Sequence, residues 1–270
     1  PSTLGLFDSG ITEICDIVHN AGGLVYGDGA NMNALLGRVK LKELGFDIVH
    51  VNLHKTTSTP HGGGGPGAGP SCVGENLASL MPSPVVDRYN SDGQNHYTLA
   101  TPANTIGVLS AGHGNFGVLV RSYAYLRALG AEGLRQASGD ADLNANYLMK
   151  RLKHLYHLPY DRTCMHEVVF SGKWQRARGV KALDLSKRLI DYGVHPPTMY
   201  FPLIVEEALM IEPTDTESKQ TLDAFVTVME AIAFECETTA SLATEAPHYT
   251  PVGRLDEARA ARQPDLRWIG

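Results

Sequence analysis

Two short apolar runs, each closed by a charged side chain, constrain this chain more than anything else in it. The first is Leu24-Val25-Tyr26-Gly27-Asp28. The second covers residues 46–53 and leads directly into His54-Lys55-Thr56. Before them, Ile11, Ile14, Cys15, Ile17, Val18 and Ala21 recur at helical spacing. Asp8 or Ser9 is placed to cap that helix and Gly22-Gly23 to end it. Leu24 to Tyr26 read as a short buried strand, and Phe46 to Leu53, rich in β-branched residues, as another. Helix, strand, connection, strand predicts an α/β fold with a mostly parallel sheet. Ligands of such sheets sit at the C-terminal ends of the strands, where both Asp28 and Lys55 fall.

A lysine and an acid on one sheet edge are what pyridoxal phosphate chemistry requires. The amine forms a Schiff base with a carbonyl cofactor, and the carboxylate keeps a pyridine nitrogen protonated. Each residue also has a plainer reading. Lys55 at a strand end can simply reach solvent, and Asp28 before Gly29 can be a cap or turn former. Ala30 is small enough for a ring to lie against, yet alone is a loop alanine. His54 suits a phosphate oxygen or a local hydrogen bond. The hydroxyls of Thr56-Thr57-Ser58-Thr59 suit a phosphate or a turn. The glycine run 62–65 is costly in backbone entropy, which predicts close backbone approach or unusual dihedrals there. It is not a nucleotide P-loop, because Pro66-Gly67-Ala68 follow it where Gly-Lys-Ser/Thr would be needed. No Gly-x-Ser-x-Gly supports a serine hydrolase. Cys164-Met165-His166-Glu167 offers metal-ligand types without a second ligand pair at the right spacing, so no metal is assigned.

Residues 61–105, rich in Gly, Pro, Ser and Asn, predict a long functional loop region. Apolar packing resumes at 106–120 (Ile106, Val108, Leu109, Phe116, Val118, Leu119). Two helical stretches follow over 121–156, broken near Ser138-Gly139. Beyond them, strands are expected at 167–171 and within 203–211, and helices at 183–192 and 216–237. The predicted organisation is residues 1–140, the C-terminal part of a large domain, and residues 141–270, a small α+β domain. The chain opens at Pro1 and enters a helix within a few residues, which suggests the C-terminal part of a longer protein.

The 270 residues are 43% apolar, enough for a sizeable core. A formal net charge of −6 argues against nucleic acid as a partner. No apolar run approaches the ~20 residues of a membrane span. Cys15, Cys72, Cys164 and Cys236 are far apart, which fits a reducing cytosol better than a disulfide framework.

Several motifs then resemble one family. They are Tyr26-Gly27-Asp28-Gly29-Ala30-Asn31, Asn52-Leu53-His54-Lys55-Thr56 with the following Ser58 to Gly67 segment, Cys164-Met165-His166-Glu167, His195-Pro196-Pro197-Thr198, and Met210-Ile211-Glu212-Pro213-Thr214. Together they resemble glycine dehydrogenase (decarboxylating), the P-protein of the glycine cleavage system, and within it the second subunit of the two-subunit form. The resemblance implies a fold type I pyridoxal 5'-phosphate enzyme. Lys55 would be the Schiff-base lysine, and Asp28 the partner of the pyridine nitrogen. Ala30 would pack on the ring, His54 would lie near the phosphate, and the 62–65 loop would line the site. It implies decarboxylation of glycine with transfer of the aminomethyl group to the lipoyl arm of the H-protein. It also implies a hetero-oligomer with the first P-protein subunit, and an inactive segment when this chain is expressed alone. Another fold type I decarboxylase or aminotransferase stays open, with Arg121, Arg162 and Arg178 as carboxylate-binding candidates. So does a non-catalytic partner subunit.

Overall fold

A computed structural model describes residues 1–61, 64–65, 67–110 and 112–268. The chain divides into two compact units. One is Asp8–Ser138; the other joins Pro1–Phe7 to Gly139–Gly270.

In the Asp8–Ser138 unit, α1 (Ile11–Asn20) is followed by β1 (Tyr26–Gly29), β2 (Ile48–Val51) and the single helical turn α2 (Leu53–Thr56). β1 and β2 pair in parallel, with Asp28 opposite His50. β3 (Ser71–Val73) adds to β2 antiparallel, giving the order β1-β2-β3. The first strand is thus shifted toward Asp28, the second is shorter than expected, and the lysine sits on a helical turn four residues past the last residue of β2. Gly29 is demanded by this pairing, since a Cβ there would come within 2.3 Å of the His50 carbonyl oxygen.

Residues 61–105 are not the unstructured stretch expected. Besides β3 they hold a hairpin, β4 (Val85–Ser91) against β5 (Gln94–Ala100). Asp92 and Gly93 close it with φ of 55° and 75°, the left-handed pair a two-residue hairpin turn needs. Apolar packing over 106–120 also fails in part. Ile106, Val108, Leu109 and Phe116 are exposed, and Val118 is fully buried. α3 (Phe116–Leu152) starts where the Asn115 side chain accepts the Val118 N–H at 3.1 Å. Its non-helical residue is Gly130, with φ 61°, and not the expected Ser138-Gly139. Ser138 stays helical because its hydroxyl is used twice: it donates to the Leu36 carbonyl and accepts from Arg38 Nε.

The second unit carries the large apolar core. β6 (Val168–Ser171) leads through the turn α4 (Lys173–Arg176) to α5 (Ala182–Asp191). β7 (Thr198–Met199) and β8 (Ala208–Ile211) complete an antiparallel sheet in the order β6-β8-β7. α6 (Lys219–Thr238) opens with the Ser218 hydroxyl accepting the Thr221 N–H at 3.1 Å. It buries Leu222, Val226, Met229, Ile232, Ala233 and Cys236, a stripe at helical spacing, among Tyr156, Phe170 and Leu209. The turns α7 (Ser241–Thr244) and α8 (Glu257–Arg262) follow. Among the described residues no helix is long and apolar enough to cross a membrane.

Candidate functional site

The geometry around Lys55 is set by its neighbours. Leu53 and Lys55 follow β2 directly, and the Leu53 carbonyl accepts hydrogen bonds from the hydroxyls of Thr57 (2.7 Å) and Thr59 (2.8 Å). Thr57 also meets the Ser122 hydroxyl at 2.8 Å, and Thr56 accepts the Met32 N–H at 2.9 Å. Thr56, Thr57 and Thr59 are all buried, while Lys55 is exposed. The hydroxyl run thus bolts the turn to the loop after β1 and to α3, and leaves the amine outward on a rigid base.

Asp28, third of the four residues of β1, lies at the same end of the parallel pair. Its Oδ1 accepts the Ala30 N–H at 2.9 Å, so the plainer turn-forming role is realised. The same oxygen lies 3.2 Å from His50 Nε2, and the His50 Nδ1 is 2.7 Å from the Tyr26 hydroxyl. With the ring proton on Nε2, His50 donates to Asp28 and accepts from Tyr26. The side chain of Asp28 nevertheless remains 71% exposed, open to a ligand at the sheet edge. His50 and Tyr26 escape a reading of the sequence. Only the strand register puts His50 opposite Asp28.

Ala30 is half-buried beside Asp28. His54 packs edge-on against His61 with ring centroids 4.9 Å apart. Its Nδ1 is buried with no hydrogen-bond partner among the described residues, and a Cβ on Gly67 would reach that atom at 2.6 Å. Gly67 is therefore a close-approach glycine, as the glycine-dense loop predicts. Gly62, Gly63 and Pro66 of that loop lie outside the described residues. All four expected site residues belong to the Asp8–Ser138 unit.

Known proteins resemble this arrangement closely. Over 268 residues the chain is 54% identical to a protein named probable glycine dehydrogenase (decarboxylating) subunit 2 from Caldanaerobacter subterraneus subsp. tengcongensis. The match takes in 99% of this chain and 55% of that protein. Residues 137–249 match the family described as glycine dehydrogenase, C-terminal domain. The chain is thus similar to glycine dehydrogenase (decarboxylating) subunit 2 along nearly its whole length, and it spans about half the length of the curated relatives it matches. The fold agrees. A crystal structure of glycine decarboxylase (P-protein) in inhibitor-bound form superposes with a TM-score of 0.69 at 19% identity, over 82% of this chain and 51% of that one. A structure of SPT with PLP superposes with a TM-score of 0.59 at 14% identity, over 87% and 53% respectively. The architecture is that of fold type I PLP-dependent enzymes. Asp28 lies near the C-terminal end of β1 and Lys55 just beyond that of β2, the edge at which parallel α/β sheets in general bind ligands.

Proposed function

We propose that this chain works as part of a pyridoxal phosphate-dependent enzyme that decarboxylates glycine and passes the remaining aminomethyl group to the lipoyl arm of a carrier, the H-protein. The observation that carries this reading is the exposed lysine and exposed carboxylate on the C-terminal ends of two adjacent parallel strands. The donor set fits the cofactor: an accessible amine for its aldehyde, an accessible acid for its ring nitrogen, and a small residue, Ala30, between strand and loop. The bound cofactor supplies an electron sink for the electrons released when a carboxylate leaves as carbon dioxide.

The chain's own residues do the holding. Lys55 Nζ would hold the cofactor through its aldehyde carbon. Thr57 and Thr59 fix the backbone of that turn through Leu53. Asp28 keeps a proton on the ring nitrogen, and His50 and Tyr26 fix the orientation of its carboxylate. Ala30 leaves a flat face open, and His54 stands by the phosphate. The Asp8–Ser138 unit is thus part of the cofactor-binding large domain, and the Gly139–Gly270 segment forms the small domain.

Subunit 2 in the relative's name implies a partner subunit. Exposed apolar side chains on the Asp8–Ser138 unit (Ile17, Leu24, Ile106, Val108, Leu109) support assembly with it. The four unpaired cysteines support a cytoplasmic setting.

The test is borohydride reduction of the complete enzyme with its partner subunit, followed by peptide mass mapping and assay of carbon dioxide release. A pyridoxyl adduct on Lys55 is expected, with carbon dioxide released from glycine and not from larger amino acids. An adduct elsewhere, or none in the cofactor-loaded enzyme, overturns the site. Turnover restricted to a larger amino acid overturns the substrate.

A further inference from the structure

A second cluster of chemically able side chains lies in the other unit, away from Lys55 in sequence and unused by the reaction above. β6 and β8 pair antiparallel with Val168 opposite Ile211. The next residues outward on the two strands are Glu167 and Glu212. The register therefore brings two carboxylates face to face at the end of the ladder. Their side chains are 8% and 31% exposed. His166 completes the group. Its side chain is 2% exposed, and neither ring nitrogen has a hydrogen-bond partner among the described residues.

His166 Nε2 stands 3.6 Å from Glu167 Oε2 and 3.9 Å from Glu212 Oε1. One ligand atom from each of the three residues lies within 4.8 Å of the other two. A tetrahedral zinc with ligands at 2.0–2.2 Å spaces its ligand atoms roughly 3.4 Å apart, so the imidazole is within about half an ångström of that spacing to either acid. We propose that His166, Glu167 and Glu212 form a binding site for a divalent transition-metal ion, which staples the start of β6 to the end of β8.

The chemistry of the three groups agrees. One imidazole with two carboxylates is a borderline-to-hard donor set, suited to zinc or manganese over copper(I). Glu212 also lines a cleft of about 490 Å³ with His195 and Phe225.

Zinc alone is the probe, and the complete enzyme with its partner subunit is the sample. A Cys72→Ser background removes the exposed thiol as a competing ligand. After chelation and dialysis against zinc, metal content and melting temperature are measured for this background and for the further substitutions His166→Gln and Glu212→Gln. The background protein should retain one zinc per chain and melt several degrees higher with it. Glu212→Gln, at the half-exposed edge of the site, should keep its circular dichroism spectrum, bind zinc at least about a hundredfold more weakly and lose the zinc-dependent rise in melting temperature. If His166→Gln does not fold, Glu212→Gln decides alone. Failure of the background protein to retain zinc, or unchanged zinc retention by folded Glu212→Gln, overturns the proposal.

Discussion

Lys55 is held by residues that never need to touch a ligand. The Thr56 hydroxyl accepts the Met32 N–H, a buried donor on a different loop. Thr56→Val keeps the side-chain shape and removes the acceptor. The expected cost is about 1–3 kcal/mol, the price of leaving a buried amide unsatisfied. Denaturant unfolding of the cofactor-free enzyme should show it as a lower first midpoint. Cofactor affinity should fall with it, because the turn carrying Lys55 loosens; an unchanged midpoint would mean that water replaces the hydroxyl. At this scale the sequence is informative about charge and poor about geometry. A lysine and an acid each closing an apolar run are visible as text. The contact of His50 with Asp28 is not, because it depends on which residues of β1 and β2 face each other.

Among the elements, the α5–α6 pair holds the most consequential ion pair. Arg188 meets the Glu235 carboxylate with two hydrogen bonds, at 2.8 and 2.7 Å, and pairs with Asp191 at 3.2 Å. The Arg188 hydrogen bond holds the Glu235 carboxyl below its ordinary range against the opposing effect of burial. A depressed folded-state value stabilises the fold above the unfolded value of about 4.3, and that stabilisation is lost as pH falls through the folded value. Glu235→Gln should therefore destabilise this unit most near neutral pH, by about 3–5 kcal/mol, since Arg188 loses its main partner in a buried setting. The gap between the variant and the parent should narrow below pH 4, where the parent's carboxyl also becomes neutral. Urea titrations at stepped pH measure it, and a gap that widens in acid would contradict the assignment.

The same scale shows where local signals were misread. Asp92-Gly93 between β-prone runs is a hairpin turn in plain text, yet it sits within a Gly- and Pro-rich stretch that masks it. Gly130 breaks α3, while Ser138-Gly139, a pair with stronger breaker character, stays helical because Arg38 and the Leu36 carbonyl satisfy the serine.

Over the whole molecule, the four cysteines report on folding. Cys15, Cys164 and Cys236 are buried, and Cys72 is exposed. Burial pushes the Cys164 and Cys236 thiols up to about 12, which leaves almost no thiolate at neutral pH. A maleimide at pH 7 should label Cys72 within minutes and reach Cys164 and Cys236 only on unfolding, with intact-mass spectrometry as the readout. Rapid labelling of Cys236 in the native protein would show that the core around α6 opens far more readily than its packing implies.

The sequence alone pointed to the α/β class of the first half, to the acid and the lysine that each close an apolar run, to the long amphipathic α6 and to the resemblance to glycine dehydrogenase. Each of these is written in local order: periodicity, a charge at the end of an apolar run, or a contiguous motif. The tertiary structure decided what depends on pairing between distant segments. It aligned His50 with Asp28, tied the Lys55 turn through three buried threonines, joined Pro1–Phe7 to the Gly139–Gly270 unit, and set Glu167 opposite Glu212 beside His166. Strand register fixes such meetings, and a shift of one residue would turn every side chain to the other face. No spacing within either segment carries that information.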